Sequence, residues 1–358
     1  MRRATRALRD RLEALARTPC PSAPRPLREL GLALAATLGL AAPAAGFTDV
    51  YVFGDSLSDS GHTQSNFDAL PGGTCGAAGV YPNPPYVGGA CSNGPTWVET
   101  LASGLGLAAE PATSGGTNYA VGGATAASDA LGTVLGDPDG ETEDIGDQFD
   151  RFDGDFVSAD PDALYVILAG ANDLQYTARG WIPDVGQDTA QDAVDAVMQT
   201  ALDLSALGAS HFLFANVWDL GTIPDATLTP GQRSDATDLT DDFNAKLATA
   251  VAGFSAGTAY FLDLDAVVDG ILADPGAHGI TDTTGSCVVL GTFGAATDLA
   301  NPCAASPALQ DQKFYFDEIH PGRVVHGAVA AAALQAVPEP ATGLLLLLGL
   351  GALHRRRR

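Results

Sequence analysis

Short, continuous apolar runs recur along the middle of the chain, separated by segments in which apolar residues return every three or four positions. Runs without alternating polar residues are typical of strands buried on both faces of a parallel sheet. The five runs cover residues 49–55, 117–123, 163–170, 211–217 and 259–265, and the clearest helical patterns cover 188–208, 240–253 and 323–336. This alternation predicts a single domain, a three-layer α/β/α sandwich around a mostly parallel, five-stranded sheet.

The first 46 residues are a different kind of sequence. Eight arginines and three acidic residues precede an apolar run at 30–42, and small residues follow it. This order is typical of a secretory signal peptide, and the run is too short to span a bilayer comfortably. We therefore expect signal peptidase to remove residues 1–46 and leave a domain over 47–337, with an uncleaved anchor as the alternative.

The last segment, 338–358, combines Pro-Glu-Pro, a short apolar stretch and four terminal arginines. As a helix, its roughly 13 apolar residues would reach only ~20 Å, too short for a bilayer. The segment resembles the PEP-CTERM sorting signal of Gram-negative bacteria. The resemblance implies an exosortase-type sorting enzyme as a partner, transient membrane contact through the termini, and delivery to the cell envelope or extracellular matrix. A plain tail anchor is the alternative.

The charge balance excludes one class of partner. The chain has 18 Lys and Arg residues against 43 Asp and Glu residues, a formal net charge of −25. Because both ends are basic, residues 47–337 carry 6 basic and 39 acidic side chains, a net charge of −33. A field this negative repels phosphate backbones, so we expect no nucleic-acid partner, and it disfavours anionic substrates.

Export would place the cysteines in an oxidising compartment, where an even number indicates disulfide bonds. Cys20 would leave with the signal peptide, whereas Cys75, Cys91, Cys287 and Cys303 remain. Four cysteines allow three pairings. We expect Cys75–Cys91 and Cys287–Cys303, because closing two short loops is the least demanding choice.

The sequence gives little indication of a metal or cofactor. No cysteines or histidines have the spacing of a zinc site. The acidic stretch at 136–156 has two interpretations, a Ca²⁺ site or a solvated loop followed by an amphipathic helix. It lacks the ligand order of an EF-hand, and Ile145, Phe149 and Phe152 lie at helical spacing, which favours the second.

Two serines are candidate nucleophiles. Ser255 lies in Gly-Phe-Ser-Ala-Gly, a formal match to the G-x-S-x-G elbow, which needs a strand before it and a helix after it. Here the order is reversed, so we interpret Ser255 as a loop residue. Ser56 lies in Phe-Gly-Asp-Ser-Leu-Ser-Asp-Ser-Gly at 53–61, at the carboxyl end of the first strand. Open α/β sheets place their reactive groups at that edge.

The sequence around Ser56, together with three further blocks, resembles the GDSL, or SGNH, family of serine esterases and lipases. In order, the blocks are Gly-Asp-Ser-Leu (54–57), Asn-Tyr-Ala-Val-Gly-Gly-Ala (118–124), Gly-Ala-Asn-Asp (170–173) and Asp-Glu-Ile-His-Pro (317–321). Pro-Tyr at 85–86 and the segment 92–99 also fit one subgroup of this family. The resemblance covers about 49–334 and implies the flavodoxin-like SGNH-hydrolase fold.

The resemblance also implies a catalytic triad. Ser56 would attack the substrate, His320 would take its proton, and Asp317, three residues before the histidine, would orient the imidazole. No cofactor is needed for this chemistry. Asp55 and Asp173 flank the site residues, and we expect both to hold turns.

The implied donors of an oxyanion hole are the backbone N–H groups of Ser56 and Gly123 and the side-chain amide of Asn172. Gly122 competes with Gly123, because both glycines allow close backbone approach to a ligand. Aligning the block from Asn118 favours Gly123.

The remaining histidines have ordinary explanations. His62 stands where the subgroup usually has Asn, and it either lines the cleft or is a loop residue. His211 begins an apolar run, His278 lies in a Gly-rich loop and His326 lies in the last helix.

These features predict an exported serine hydrolase that cleaves carboxylic esters, with a small-molecule or lipid ester as substrate. One alternative is a carbohydrate acetyl esterase acting on envelope or matrix polysaccharide, and another is a lipid acyltransferase. A matrix-anchored binding protein with a decayed site is the non-enzymatic alternative, and the four intact blocks argue against it.

Overall fold

The computed structural model describes residues 46–62, 85–127, 143–181, 188–289 and 302–337. The apolar runs of the two termini lie outside these ranges. Four parallel strands form the sheet, and each strand pairs with the next one in the chain. They are β1 (Val50–Gly54), β2 (Leu164–Leu168), β3 (His211–Ala215) and β4 (Thr258–Leu262). Every residue of β1 and β2 is buried, which explains their continuous apolar sequences.

One of the five predicted strands, 117–123, does not join the sheet as a regular strand. The expectation of five strands was therefore wrong for the described residues. Three backbone hydrogen bonds of 2.8 to 3.1 Å join this segment to β1. However, the pairing stays a single bridge between Val52 and Asn118, because the Gly54 N–H donates to the side-chain oxygen of Gln148 at 2.8 Å and not to this segment.

Helices cover both faces of the sheet, as the sandwich prediction requires. Val52, Val166 and Leu213 pack on one side against three helices, Trp97–Gly104, Leu264–Ala273 and Arg323–Ala336, whereas alternate strand residues pack on the other side against the helices between residues 145 and 253. Within the described ranges, no helix is long and apolar enough to cross a membrane. The α-helices are α1 (Trp97–Gly104), α2 (Ile145–Asp155), α3 (Ala171–Ala178), α4 (Thr189–Leu207), α5 (Pro230–Gly253), α6 (Leu264–Ala273), α7 (Pro307–Gln310) and α8 (Arg323–Ala336).

Local sequence explains where two of these helices begin. The amphipathic helix predicted within the acidic stretch is confirmed as α2, which buries Ile145 and Phe152 and is capped by Asp144. α5 begins ten residues before the predicted 240–253, because Thr229 forms a capping box with Gln232 and a proline occupies the first helical position.

Candidate active site

Ser56, Asn172 and His320 come from two loops and the first turn of a helix, all at the carboxyl ends of the strands. Ser56 follows β1, Asn172 is the second residue of α3 after β2, and His320 lies on the loop before α8. The end of β1 must be glycine, because a Cβ on Gly54 would lie 2.2 Å from the backbone oxygen of Leu168. This close approach brings the loops after β1 and β2 together.

The structure brings the three predicted triad residues into one hydrogen-bonded chain. Ser56 Oγ lies 2.9 Å from His320 Nε2. His320 Nδ1 lies 2.8 Å from Oδ2 and 3.0 Å from Oδ1 of Asp317. Ser56 is half-buried, whereas the other two residues are buried. In this geometry the imidazole can accept the serine proton while the carboxylate orients it.

The Asp317 carboxylate is held from two directions. Its Oδ1 accepts the backbone N–H of Ile319 at 2.9 Å and that of His320 at 2.7 Å. Its Oδ2 accepts the hydroxyl of Tyr86 at 2.8 Å. Tyr86 belongs to the Pro-Tyr pair of the motif, but its contact with Asp317 was not predicted.

The two glycines that sequence alone left open differ in their hydrogen bonds. The N–H of Gly122 donates to Asp59 Oδ2 at 2.8 Å. Over the described part of the chain, no hydrogen bond engages the N–H of Gly123 or of Ser56. Gly123 has a φ of 85°, in the region that favours glycine. Gly123 therefore has the N–H that remains available to a ligand.

Helix α3 holds the loop around Gly123 from the other side. The Asn172 side-chain amide donates to the Ala124 carbonyl at 2.8 Å, and the Tyr176 hydroxyl donates to the Gly123 carbonyl at 3.2 Å. The Asp173 carboxylate accepts two further N–H groups of this loop, at 2.8 and 2.9 Å. The turn-holding role expected of Asp173 is confirmed. The Asn172 amide has a second N–H with which it can donate to a ligand.

Asp59 has a supporting role that its position in the motif did not reveal. It is buried, and its Oδ1 accepts the N–H groups of Gly61 at 2.8 Å and His62 at 2.7 Å. Its other oxygen binds Gly122, so one carboxylate joins the loop after β1 to the loop that carries Gly123. Burial raises the pKa of Asp59 to about 7, against the lowering effect of these N–H groups.

Asp55 holds the turn that carries Ser56, as predicted. Its side chain accepts the N–H of Leu57 at 3.0 Å, and its carbonyl accepts those of Ser58 and Asp59. Burial raises the pKa of Asp55 to about 6, and the Leu57 N–H and the charge of His320 oppose this shift.

The other histidines are not arranged as catalytic bases. His62 is buried, and burial lowers its pKa to about 4. His326 accepts the Trp97 N–H at 3.2 Å, and burial lowers its pKa to about 3. His211 begins β3, and His278 ends a short 3₁₀ turn. Within the described ranges, no group of three or more His, Cys, Asp or Glu side chains could hold a metal ion.

Ser255 lies far from this chemistry, as its sequence context predicted. It is exposed in the loop between α5 and β4, at the amino end of that strand. Because all four strands are parallel, Ser255 lies at the amino ends of the strands and Ser56 at their carboxyl ends.

The predicted disulfide between Cys287 and Cys303 is present. Cys91 is also disulfide-bonded, but Cys75 lies outside the described residues, so the pairing of these two stays a prediction.

The disulfide packs behind the loop that carries Asp317. Cys287 and Cys303 share a buried cluster with Tyr86 and Phe316. The N–H groups of Cys287 and its neighbour donate to the Phe316 carbonyl at 2.9 and 3.0 Å. Since Phe316 directly precedes Asp317, the disulfide braces the acidic end of the hydrogen-bonded chain.

Comparison with known families gives two matches. Residues 50–333 match the family described as GDSL-like Lipase/Acylhydrolase, and residues 336–358 match the PEP-CTERM protein-sorting motif. The second match indicates export and sorting to the Gram-negative cell envelope or extracellular matrix.

The individual relatives have low sequence identity to this chain. A phosphatidylcholine-sterol acyltransferase from Aeromonas hydrophila is 29% identical over 349 residues, which cover 85% of this chain and 94% of the relative. Among solved structures, a catalytic mutant of an acetylxylan esterase from Geobacillus stearothermophilus is 12% identical, with a TM-score of 0.42 and coverage of 82% and 96%. A putative GDSL-like lipase from Parabacteroides merdae is 13% identical, with a TM-score of 0.36 and coverage of 82% and 97%.

Proposed function

Because the chain belongs to the GDSL-like lipase/acylhydrolase family, we propose that it is an exported serine hydrolase that cleaves carboxylic esters through an acyl-enzyme on Ser56. The observation that carries this proposal is the hydrogen-bonded chain from Ser56 Oγ through His320 to Asp317. The proposed mature domain is 47–337, after removal of 1–46 by signal peptidase and of 338–358 after recognition by an exosortase-type enzyme.

In the acylation half-reaction, His320 Nε2 takes the hydroxyl proton as Ser56 Oγ bonds to the ester carbonyl carbon. The carbonyl oxygen becomes an oxyanion, which accepts hydrogen bonds from the N–H groups of Ser56 and Gly123 and from the Asn172 amide. One such donor is typically worth roughly 3 kcal/mol of the barrier. When the carbon–oxygen bond to the alcohol breaks, His320 gives its proton to the leaving alcohol oxygen.

In the deacylation half-reaction, water takes the place of the alcohol. His320 accepts a proton from the water as its oxygen bonds to the acyl carbon, and the same donors hold the second oxyanion. The bond from the acyl carbon to Ser56 then breaks, and the imidazole returns the proton to Oγ. The products are a carboxylic acid and the regenerated enzyme.

Acyl transfer is the second candidate function, and the similarity to the Aeromonas hydrophila acyltransferase favours it. An alcohol would attack the same acyl-enzyme in place of water, with an identical proton balance. Adding a long-chain or sterol alcohol to a fatty-acyl ester assay separates the two. Transfer would give a new ester at the expense of free fatty acid, whereas a strict hydrolase would give only acid.

The deciding experiment is Ser56→Ala, assayed on p-nitrophenyl esters of graded acyl length. We expect kcat to fall by roughly 10³-fold or more, because the nucleophile is lost. Ser255→Ala is the matched control, and it should retain wild-type activity. A graded series also tests the acetyl esterase alternative, which requires turnover of acetyl esters alone and acetate release from acetylated polysaccharide.

Covalent labelling adds a readout that does not need the natural substrate. A fluorophosphonate probe should label the wild type and Ser255→Ala but not Ser56→Ala. Unlabelled, folded wild-type protein would reject the proposal and favour a binding protein with a decayed site. Ester cleavage that survives in Ser56→Ala would reject the assigned nucleophile.

A further inference from the structure

The side chain of Tyr86 reaches the acidic end of the proposed triad. Its hydroxyl donates to Asp317 Oδ2 at 2.8 Å, and the same oxygen lies 2.8 Å from His320 Nδ1. Tyr86 and Asp317 both have no exposed surface. A phenol and an imidazole therefore converge on one buried carboxylate oxygen.

We propose that Tyr86 is a positioning residue for the Asp317–His320 pair, an inference that rests on the function proposed above. The N–H groups of Ile319 and His320 hold only Oδ1 of Asp317. Without a partner on Oδ2 besides the imidazole, the carboxylate would follow the imidazole whenever the ring moved. The Tyr86 hydroxyl fixes the plane of the carboxylate and thereby keeps Nε2 facing Ser56.

The ring of Tyr86 is held independently of its hydroxyl. It packs edge-on against Phe316, with the ring centroids 4.8 Å apart and the planes at 78°. It also belongs to the buried cluster that contains the Cys287–Cys303 disulfide. Packing therefore requires an aromatic ring at this position, but it does not require the hydroxyl. Phenylalanine separates the two contributions.

The Tyr86 hydroxyl also changes the negative charge that Asp317 presents to the imidazole of His320. A hydrogen bond from Tyr86 draws negative charge from Oδ2 and so weakens the attraction of Asp317 for the imidazolium. Removing the hydroxyl strengthens that attraction, so the acidic limb of the kcat/KM profile should move to higher pH. Among the described residues, Asp55, on the loop after β1, and His326, on α8, also interact electrostatically with His320. The substitution changes neither.

The test compares Tyr86→Phe with Tyr165→Phe. Tyr165 is also fully buried, and its hydroxyl donates to the Asp160 carbonyl at 3.0 Å, near the opposite edge of the sheet. Each substitution removes a tyrosine hydroxyl that donates a hydrogen bond, to a buried carboxylate in Tyr86→Phe and to a partly buried backbone carbonyl in Tyr165→Phe. We expect kcat of Tyr86→Phe to fall about tenfold, because hydrogen bonds to charged groups are strong. KM should stay constant and the acidic limb should move to higher pH, whereas Tyr165→Phe should keep the wild-type kcat and profile.

Rates are normalised by fluorophosphonate titration, so that only folded active sites are counted. In an Asp317→Asn background, Tyr86→Phe should change kcat by less than about twofold, because Tyr86 acts through the carboxylate. A wild-type kcat, an unmoved acidic limb, or a full effect in the Asp317→Asn background would each overturn the inference. A wild type that cleaves no ester would overturn the proposed function instead.

Discussion

Burial gives the single carboxylate of Asp59 an unusual proton affinity. Its ionised form accepts the N–H groups of Gly61, His62 and Gly122. Burial nevertheless raises its pKa to about 7. The folded protein therefore holds a proton on Asp59 at pH values where the unfolded chain, with a carboxyl pKa near 3.8, has lost it. This contribution to stability is complete below about pH 4 and is lost as the pH rises through about 7.

Asp59→Asn should flatten this pH dependence. Between about pH 4 and pH 7 the free energy of unfolding of the wild type should fall more steeply than that of the variant, because Asn cannot ionise. Urea unfolding at several pH values across that range measures both slopes. Asp238→Asn, at an exposed position of α5, is the control and should follow the wild type. Equal slopes in wild type and Asp59→Asn would contradict the prediction.

Residue roles were predictable where a local motif carries them. Ser56 lies two residues after the end of β1, and the carboxyl ends of parallel strands lie together, so its position could be inferred from the sequence. The contacts of Asp59 with Gly122 and of Tyr86 with Asp317 join residues 63 and 231 positions apart. No local pattern encodes such pairs, so these two supporting residues emerged only from the structure.

At the scale of elements, the Cys287–Cys303 disulfide supports the loop that carries Asp317 and His320. A double substitution, Cys287→Ser with Cys303→Ser, should lower the free energy of unfolding by about 3 kcal/mol, as expected for a loop of this length. Because the N–H of Cys287 binds the carbonyl of Phe316, kcat should also fall while the protein is still folded. Urea unfolding and kcat at 25 °C measure the two effects.

Substituting these two cysteines is more selective than adding reductant, because reductant would also break the disulfide of Cys91. Ser255→Ala, at the opposite edge of the sheet, controls for handling of the variants. A variant with reduced stability but an unchanged kcat would show that the disulfide stabilises the fold without supporting the active site.

The elements that the sequence predicted correctly are those whose burial determines their residue types. Strands β1 to β3 were recognisable because apolar residues fill both faces, whereas β4 has an apolar sequence although only Leu262 in it is buried. The segment 117–123 has the same apolar character, but apolarity does not report hydrogen bonding, and the Gly54 N–H donates to Gln148 instead of continuing the ladder. The first half of α5 was missed because few of its residues are buried, whereas its capping box at Thr229 sets its start.

At the scale of the whole molecule, negative charge dominates the domain. Residues 47–337 carry a net charge of −33 and include only two lysines. Lys246 binds Asp188 and Asp242, and Lys313 binds Asp282, so both ammonium groups lie within ion pairs. A substrate approaching the active site therefore moves through a negative field, which lowers the local concentration of anions.

This field predicts that the preference of the enzyme between two esters depends on salt. The two esters have equal acyl length, but one is neutral and the other has a terminal carboxylate. At low salt, kcat/KM should be several-fold lower for the anionic ester. Raising NaCl to about 1 M shortens the Debye length to ~3 Å and should remove most of the difference. The neutral ester serves as the internal control, because any general effect of salt on folding or chemistry acts on both. An anionic ester that is preferred at low salt would mean that a local cationic site outweighs the field of the domain, and the field would then not govern substrate choice.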